Sequence, residues 1–99
     1  MLGSAKIVAF IPSMDFAKAR AFYAETLGLR FVSEDLFALV LDSNGIMIRV
    51  TRVPDFHPHH FTVLGWEVAD IEKFVSGLAQ MGVKFERYGL PQQDERGIW

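Results

Sequence analysis

The chain has 99 residues, 51% of them apolar, with nine Phe, two Trp and two Tyr, enough for the core of one domain. Its ten basic and twelve acidic residues leave a net charge of −2 with no basic stripe for nucleic acid and no polybasic membrane patch. Cysteine is absent, which excludes disulfides, thiolate metal sites and cysteine nucleophiles. No apolar run is long enough for a bilayer, and residues 1–4 lead straight into a strand, so a soluble cytoplasmic domain is expected.

Residues 6–11 (KIVAFI) form a nearly continuous β-branched and aromatic run, which predicts a strand buried on both faces, ended by Pro12 and Ser13. Asp15 is placed to cap a helix, and Phe16, Ala19, Phe22, Tyr23 and Leu27 recur at helical spacing before Gly28 stops it. Residues 29–33 read as a strand and Glu34-Asp35 as a turn. Residues 37–41 (FALVL) read as a further strand, joined through Asp42-Ser43-Asn44-Gly45 to a last one at 46–53. Asn-Gly favours such a hairpin because both residues tolerate positive φ. The first unit is thus β-α-β-β-β. Residues 54–60 (PDFHPHH), with two prolines and no periodicity, read as a linker.

A second unit then opens with a strand at 61–68 and repeats the plan. Asp70 caps a helix carrying Ile71, Phe74, Val75, Leu78 and Met81, Gly82 ends it, and a strand follows at 83–87. The two Asp residues are 55 positions apart and the two glycines 54, so the chain is an internal repeat of two βαβββ modules. A polar loop at 89–96 precedes the end, and the counterpart of the last strand of module one falls beyond Trp99. The expected organisation is one α+β domain: module one at about 5–53, the linker at 54–60, and module two at 61–99, truncated at its C-terminus, either as a fragment of a longer chain, which is the favoured reading, or with the missing part supplied by another molecule.

Paired modules of this kind, with the pattern D-x-x-x-A-x-x-F-Y-x-x-x-L-G-x-x-F met at Asp15, Ala19, Phe22, Tyr23, Leu27, Gly28 and Phe31, resemble the vicinal oxygen chelate superfamily. That superfamily includes glyoxalase I, bleomycin-resistance proteins and extradiol dioxygenases. Residues 63–85 look like the second-module strand and helix of glyoxalase I. The resemblance implies two modules curving around a cleft, often closed within a homodimer, and a divalent metal held by His, Glu or Gln from four strands. The three positions that can be checked hold Val8, Arg49 and Val63. Valine has no lone pair to donate and a guanidinium repels a cation, so no metal cofactor is expected.

Strand parity says what such a cleft would contain. If Val8 faces it, so do Lys6 and Phe10, while Ile7, Ala9 and Ile11 pack under the helices. Met47, Arg49 and Thr51 face it from the last strand of module one, and Val63, Gly65 and Glu67 from the first strand of module two, with Leu64, Trp66 and Val68 turned to the helices. The ligand-binding set is therefore Val8, Phe10, Met47, Arg49, Val63 and Glu67. Arg49 can grip a carboxylate or phosphate through its fork, or can pair with Glu67 in a structural ion pair. The leading reading is metal-independent binding of a small organic ligand by a protein of glyoxalase/bleomycin-resistance type, with no nucleic-acid or membrane partner. Alternatives are a metal-dependent lyase, isomerase or dioxygenase with displaced ligands, and a domain that acts by pairing with copies of itself. His57, His59 and His60 read as solvated linker residues, Tyr23 as core, Trp66 and Trp99 as core or edge aromatics, and Asp94 and Glu95 as solvated. Glycines in the G-x-G-x-x-G pattern and a Ser-His-Asp order are both missing.

Overall fold

The computed structural model describes residues 1–89 and 91–98. The chain divides into two compact units, Met1–Leu64 and Gly65–Trp99. The boundary falls inside the expected strand at 61–68, because Leu64 packs against the core of the first unit.

The first unit runs β1 (Val8–Ser13), α1 (Phe16–Arg20), a π-helical turn (Ala21–Thr26), β2 (Arg30–Glu34), β3 (Ala38–Ser43) and β4 (Ile46–Arg52). The strands form one sheet in the order β1-β4-β3-β2, with β1 parallel to β4 and the other pairs antiparallel. This is an α+β arrangement with a single mixed sheet. The expected hairpin is present: Asn44 and Gly45 both take positive φ, 51° and 85°, between Ser43 and Ile46. A turn of that hand matches the twist of the strands it joins.

The start of α1 is set by Asp15, whose side chain accepts a hydrogen bond from the Lys18 N–H at 3.1 Å. The helix then widens, with the Leu27 N–H donating to the Phe22 carbonyl at 2.9 Å, five residues back. Gly28 follows at φ 79°. The wider turn carries Phe22 away from the regular apolar stripe and leaves it 40% exposed, contrary to its expected place in the core. Tyr23 packs against the core as expected.

The core lies on one face of the sheet. Ile11, Leu39, Leu41, Ile48 and Val50 are buried against Phe16 and Ala19 of α1, with Ala9, Phe31 and Leu29 completing the packing. Two arginine side chains extend this face, Arg52 over the Phe16 ring at 4.1 Å and Arg20 over Phe31 at 3.7 Å.

β1 differs from its expectation in three ways. It is buried on one face only, since Phe10 is 64% exposed, because module one covers its sheet with helix on one side alone. It continues through Pro12, which pairs with Thr51; β1 is an edge strand, so the missing N–H of proline leaves no ladder position empty. It begins after Ile7, which is exposed rather than packed under α1. Elsewhere, a shift in register between Phe31 and Ser33 marks a bulge in β2. Phe37 belongs to the β2–β3 turn and not to β3, because Asp35 accepts the Phe37 and Ala38 N–H groups and closes that turn.

In the second unit, α2 (Ile71–Gln80) is capped by Asp70, which accepts from the Lys73 N–H at 3.1 Å, and Gly82 follows at φ 91°. Val75 is buried, while Ile71, Phe74 and Met81 are exposed. The expected strands at 61–68 and 83–87 join no ladder among the described residues. A strand exists through its hydrogen-bonded neighbour. In the first unit, β4 and β3 hold β1 and β2; the described part of the second unit offers no such pair. The role expected of Trp99 lies outside the described residues.

Leu41 is wholly excluded from water at the middle of the core. Leu41→Ala is expected to lower the unfolding free energy by about 2–5 kcal/mol in urea denaturation. Asp15→Ala removes the cap of α1 and is expected to cost about 1 kcal/mol, whereas Asp15→Asn, which retains the acceptor, costs less.

Candidate functional site

Ladder register decides which side chains share a face. Val8 lies opposite Met47 and Phe10 opposite Arg49 in the β1–β4 pair, and Arg49 lies opposite Val40 in the β3–β4 pair. All belong to the face opposite the one that carries Ile11, Leu39, Leu41, Ile48 and Val50. The structure therefore brings together four of the six candidate residues, Val8, Phe10, Met47 and Arg49, on one open face. Phe10 and Met47 are exposed and Arg49 is half-buried, while Val40 is buried. Within this unit no carboxylate lies within 4 Å of the Arg49 guanidinium. Val63 is exposed on an irregular segment, and Glu67 belongs to the second unit.

Two carboxylates stand near the ends of β3, Asp42 within it and Asp35 in the turn before it. Asp42 lies opposite Met47 and has Arg30 at 3.8 Å. Asp35 stands in the β2–β3 turn, where hydrogen bonds from the Phe37 and Ala38 N–H groups hold its carboxyl below the usual carboxylate range, with a smaller contribution from the charge of Arg49. Burial pushes the Tyr23 phenol up, as befits a ring packed in the core.

The positions that the resemblance matches to family metal ligands hold side chains that do not fit a metal. Val8 and Val63 have no electron pair to give, and Arg49 presents a cation. Among the described residues no three His, Cys, Asp or Glu side chains come together. Of the histidines, His57 pairs with Asp55 at 3.2 Å and His59 stacks on Phe61 with ring centroids 4.9 Å apart.

Sequence reasoning missed an organised turn in the second unit. Asp94 is not merely solvated. Its Oδ1 accepts from the Arg96 and Ile98 N–H groups at 2.9 Å each, and its Oδ2 lies 3.0 Å from the Arg96 guanidinium. Arg96 also reaches Glu72 of α2 at 3.4 Å. Gln93 adds a second clasp, donating to the carbonyls of Glu86 and Gly97 at 2.8 and 3.1 Å. An open groove of about 620 Å³ lies beside α2, lined by Glu72, Lys73, Ser76 and Arg96 among others. The pairing of Arg96 with Asp94 and Glu72 makes it a structural junction. The D-x-R spacing at 94–96 was the available signal, since an aspartate commonly bonds backbone N–H groups just after it.

The family model for the glyoxalase/bleomycin resistance protein/dioxygenase superfamily matches residues 6–88, and the chain belongs to that family. Among solved structures, the chain is similar to a bleomycin resistance determinant encoded on the transposon Tn5, with 24% identity, a TM-score of 0.67, and coverage of 89% of this chain and 73% of that one. It is similar to a glyoxalase family protein from Bacillus anthracis, with 18% identity, a TM-score of 0.69, and 95% and 88% coverage. A bleomycin-binding protein complexed with bleomycin aligns at 23% identity and a TM-score of 0.63, with 95% and 83% coverage. At these identities the likeness is one of fold. No match was found among curated proteins. Among the described residues no helix is long and apolar enough to cross a membrane.

The hydrogen bond from the Ile98 N–H is the largest influence lowering the Asp94 carboxyl, helped by Arg96. A carboxyl lowered on folding contributes stability above its unfolded pKa, and that contribution is lost as pH falls through the folded value. Melting temperatures of wild type and Asp94→Ala are therefore expected to differ most at neutral pH and to converge in acid, below the usual carboxylate range. A constant difference across the titration would show that Asp94 acts through packing and not through charge.

Proposed function

We propose that this domain binds a planar, acidic organic molecule on the open face of β1 and β4 without a metal ion. Arg49 anchors the acid group through its guanidinium fork, and Phe10, Met47 and Val8 form the apolar wall. Val63 is a further proposed contact, and the protein works as a cytoplasmic homodimer. The observation that carries the reading is Arg49 itself. It is a half-buried cation with no carboxylate partner in its own unit, set beside exposed apolar side chains. Exposed apolar surface with a convergent charge suits an amphipathic ligand better than it suits water. Support also comes from the fold relative that was solved with bleomycin bound. The absence of metal from the proposal rests on the chemistry of Val8, Arg49 and Val63.

Two measurements test it. Native mass spectrometry of gently purified protein is expected to show a metal-free dimer carrying an organic adduct. One stoichiometric metal per chain that survives replacement of His57, His59 and His60 would overturn the reading in favour of a metal-dependent lyase, isomerase or dioxygenase. In titration calorimetry with 2-naphthoate and with bleomycin as probes, Arg49→Ala is expected to weaken binding of the acidic probe by tenfold or more, about 1.5–3 kcal/mol for a charged hydrogen bond. Unchanged affinity would remove Arg49 from the account.

A further inference from the structure

The two carboxylates near the ends of β3 are held in different ways. Asp42 has a cationic neighbour in Arg30, at 3.8 Å. Asp35 has none within 4 Å among the described residues; its partners are backbone. Its Oδ1 accepts from the Phe37 N–H at 2.8 Å and the Ala38 N–H at 2.9 Å, and its own N–H donates to the Ala38 carbonyl at 3.0 Å. A carboxylate tied twice to backbone stays where it is when a ligand arrives. Ala38 lies opposite Thr51 and Val40 opposite Arg49, so the Asp35 carboxyl, held on the Ala38 N–H, stands two residues along β3 from the position opposite Arg49. The charge of Arg49 is the smallest of the influences on the Asp35 carboxyl, and it has the sign expected of a cation on the same sheet.

We propose that Asp35 is a specificity-determining residue of the Arg49 face, selecting a monocarboxylate over a dianionic phosphate. The inference rests on the binding reading above. A carboxylate already fills the guanidinium fork with two parallel hydrogen bonds, so a second negative charge on the ligand adds no further bond of that kind. That second charge is drawn to Arg49 and repelled by Asp35, and the backbone bonds keep Asp35 from turning aside. Near one cation and one fixed anion, extra ligand charge is close to useless, while the desolvation of a dianion is more costly than that of a monoanion. The substrate class that fits is an aromatic or otherwise planar monocarboxylic acid.

The test compares 2-naphthoate with 2-naphthyl phosphate, which share one ring system, at pH 8, where the phosphate monoester is a dianion because its second pKa is about 6. Asp35→Asn keeps the Oδ1 acceptor and removes the charge. Wild type is expected to prefer naphthoate, and Asp35→Asn to shift the ratio of affinities toward the phosphate by about threefold or more at low salt, a shift that shrinks as salt screens the charge. A folded Asp35→Asn protein with an unmoved ratio overturns the inference while leaving Arg49-dependent binding intact. Should that variant fail to fold, Asp35→Ser, which keeps an oxygen acceptor at the turn without the charge, decides by the same ratio. A shift toward the phosphate supports the assignment; an unmoved ratio overturns it. Loss of binding of both probes by wild type, or equal binding by Arg49→Ala, overturns the binding reading itself and this inference with it.

Discussion

The register of the β3–β4 hairpin is the constraint on which the rest of the first unit depends. With Asn44 and Gly45 both in the left-handed region, Ser43 is paired to Ile46 and every later pair follows, to Ala38 against Thr51. In that register Leu39, Leu41, Ile48 and Val50 all reach the core. Because side chains alternate across a strand, a slip of one residue would turn Met47 and Arg49 toward α1 and expose Ile48 and Val50. The burial of four aliphatic side chains is thus the same event as the presentation of Arg49. β1 then adds to β4 in parallel and β2 to β3, and each extends a pattern that the hairpin has already set.

Much of the charge in this small domain serves local architecture. Asp15 and Asp70 cap helices, Asp35 closes the β2–β3 turn, and Asp94 organises the turn before the end of the described chain. In each case a short carboxylate accepts N–H groups that the backbone would otherwise leave unbonded. The arginines are similarly engaged: Arg20 and Arg52 lie over rings, Arg30 reaches Asp42, and Arg96 bridges Asp94 and Glu72. Arg49 departs from that pattern within its own unit. It is placed by the ladder, with apolar neighbours, and held by no carboxylate there. A half-buried charge is costly to keep without a partner, and that cost is the ground for the proposed role of Arg49 in binding.

Membership of the glyoxalase/bleomycin resistance protein/dioxygenase superfamily accounts for the fold and leaves the chemistry to the residues present. Val8, Arg49 and Val63, which the resemblance matches to three of the family's metal-ligand positions, carry no electron pair to donate to a metal. Val8, Phe10 and Met47 set apolar side chains beside the Arg49 cation on one face.

The sequence by itself determined the features that arise within a few residues. The two N-caps, the Asn-Gly hairpin, the glycines at the helix ends and the alternation that sets Phe10 and Arg49 opposite Ile11 and Val50 were all legible, because each depends on local φ preferences or a period of two. What required the tertiary structure was every feature that depends on a neighbour. Pro12 sits in β1 because β1 is an edge; Phe37 leaves β3 because Asp35 takes its N–H; Phe22 leaves the core because the helix widens before Gly28. Residues 61–68 and 83–87 have strand-like sequences and join no ladder among the described residues, since alternation supplies a side-chain pattern but not a partner for the backbone. Local sequence chooses conformations; only packing decides which of them find hydrogen-bonding partners.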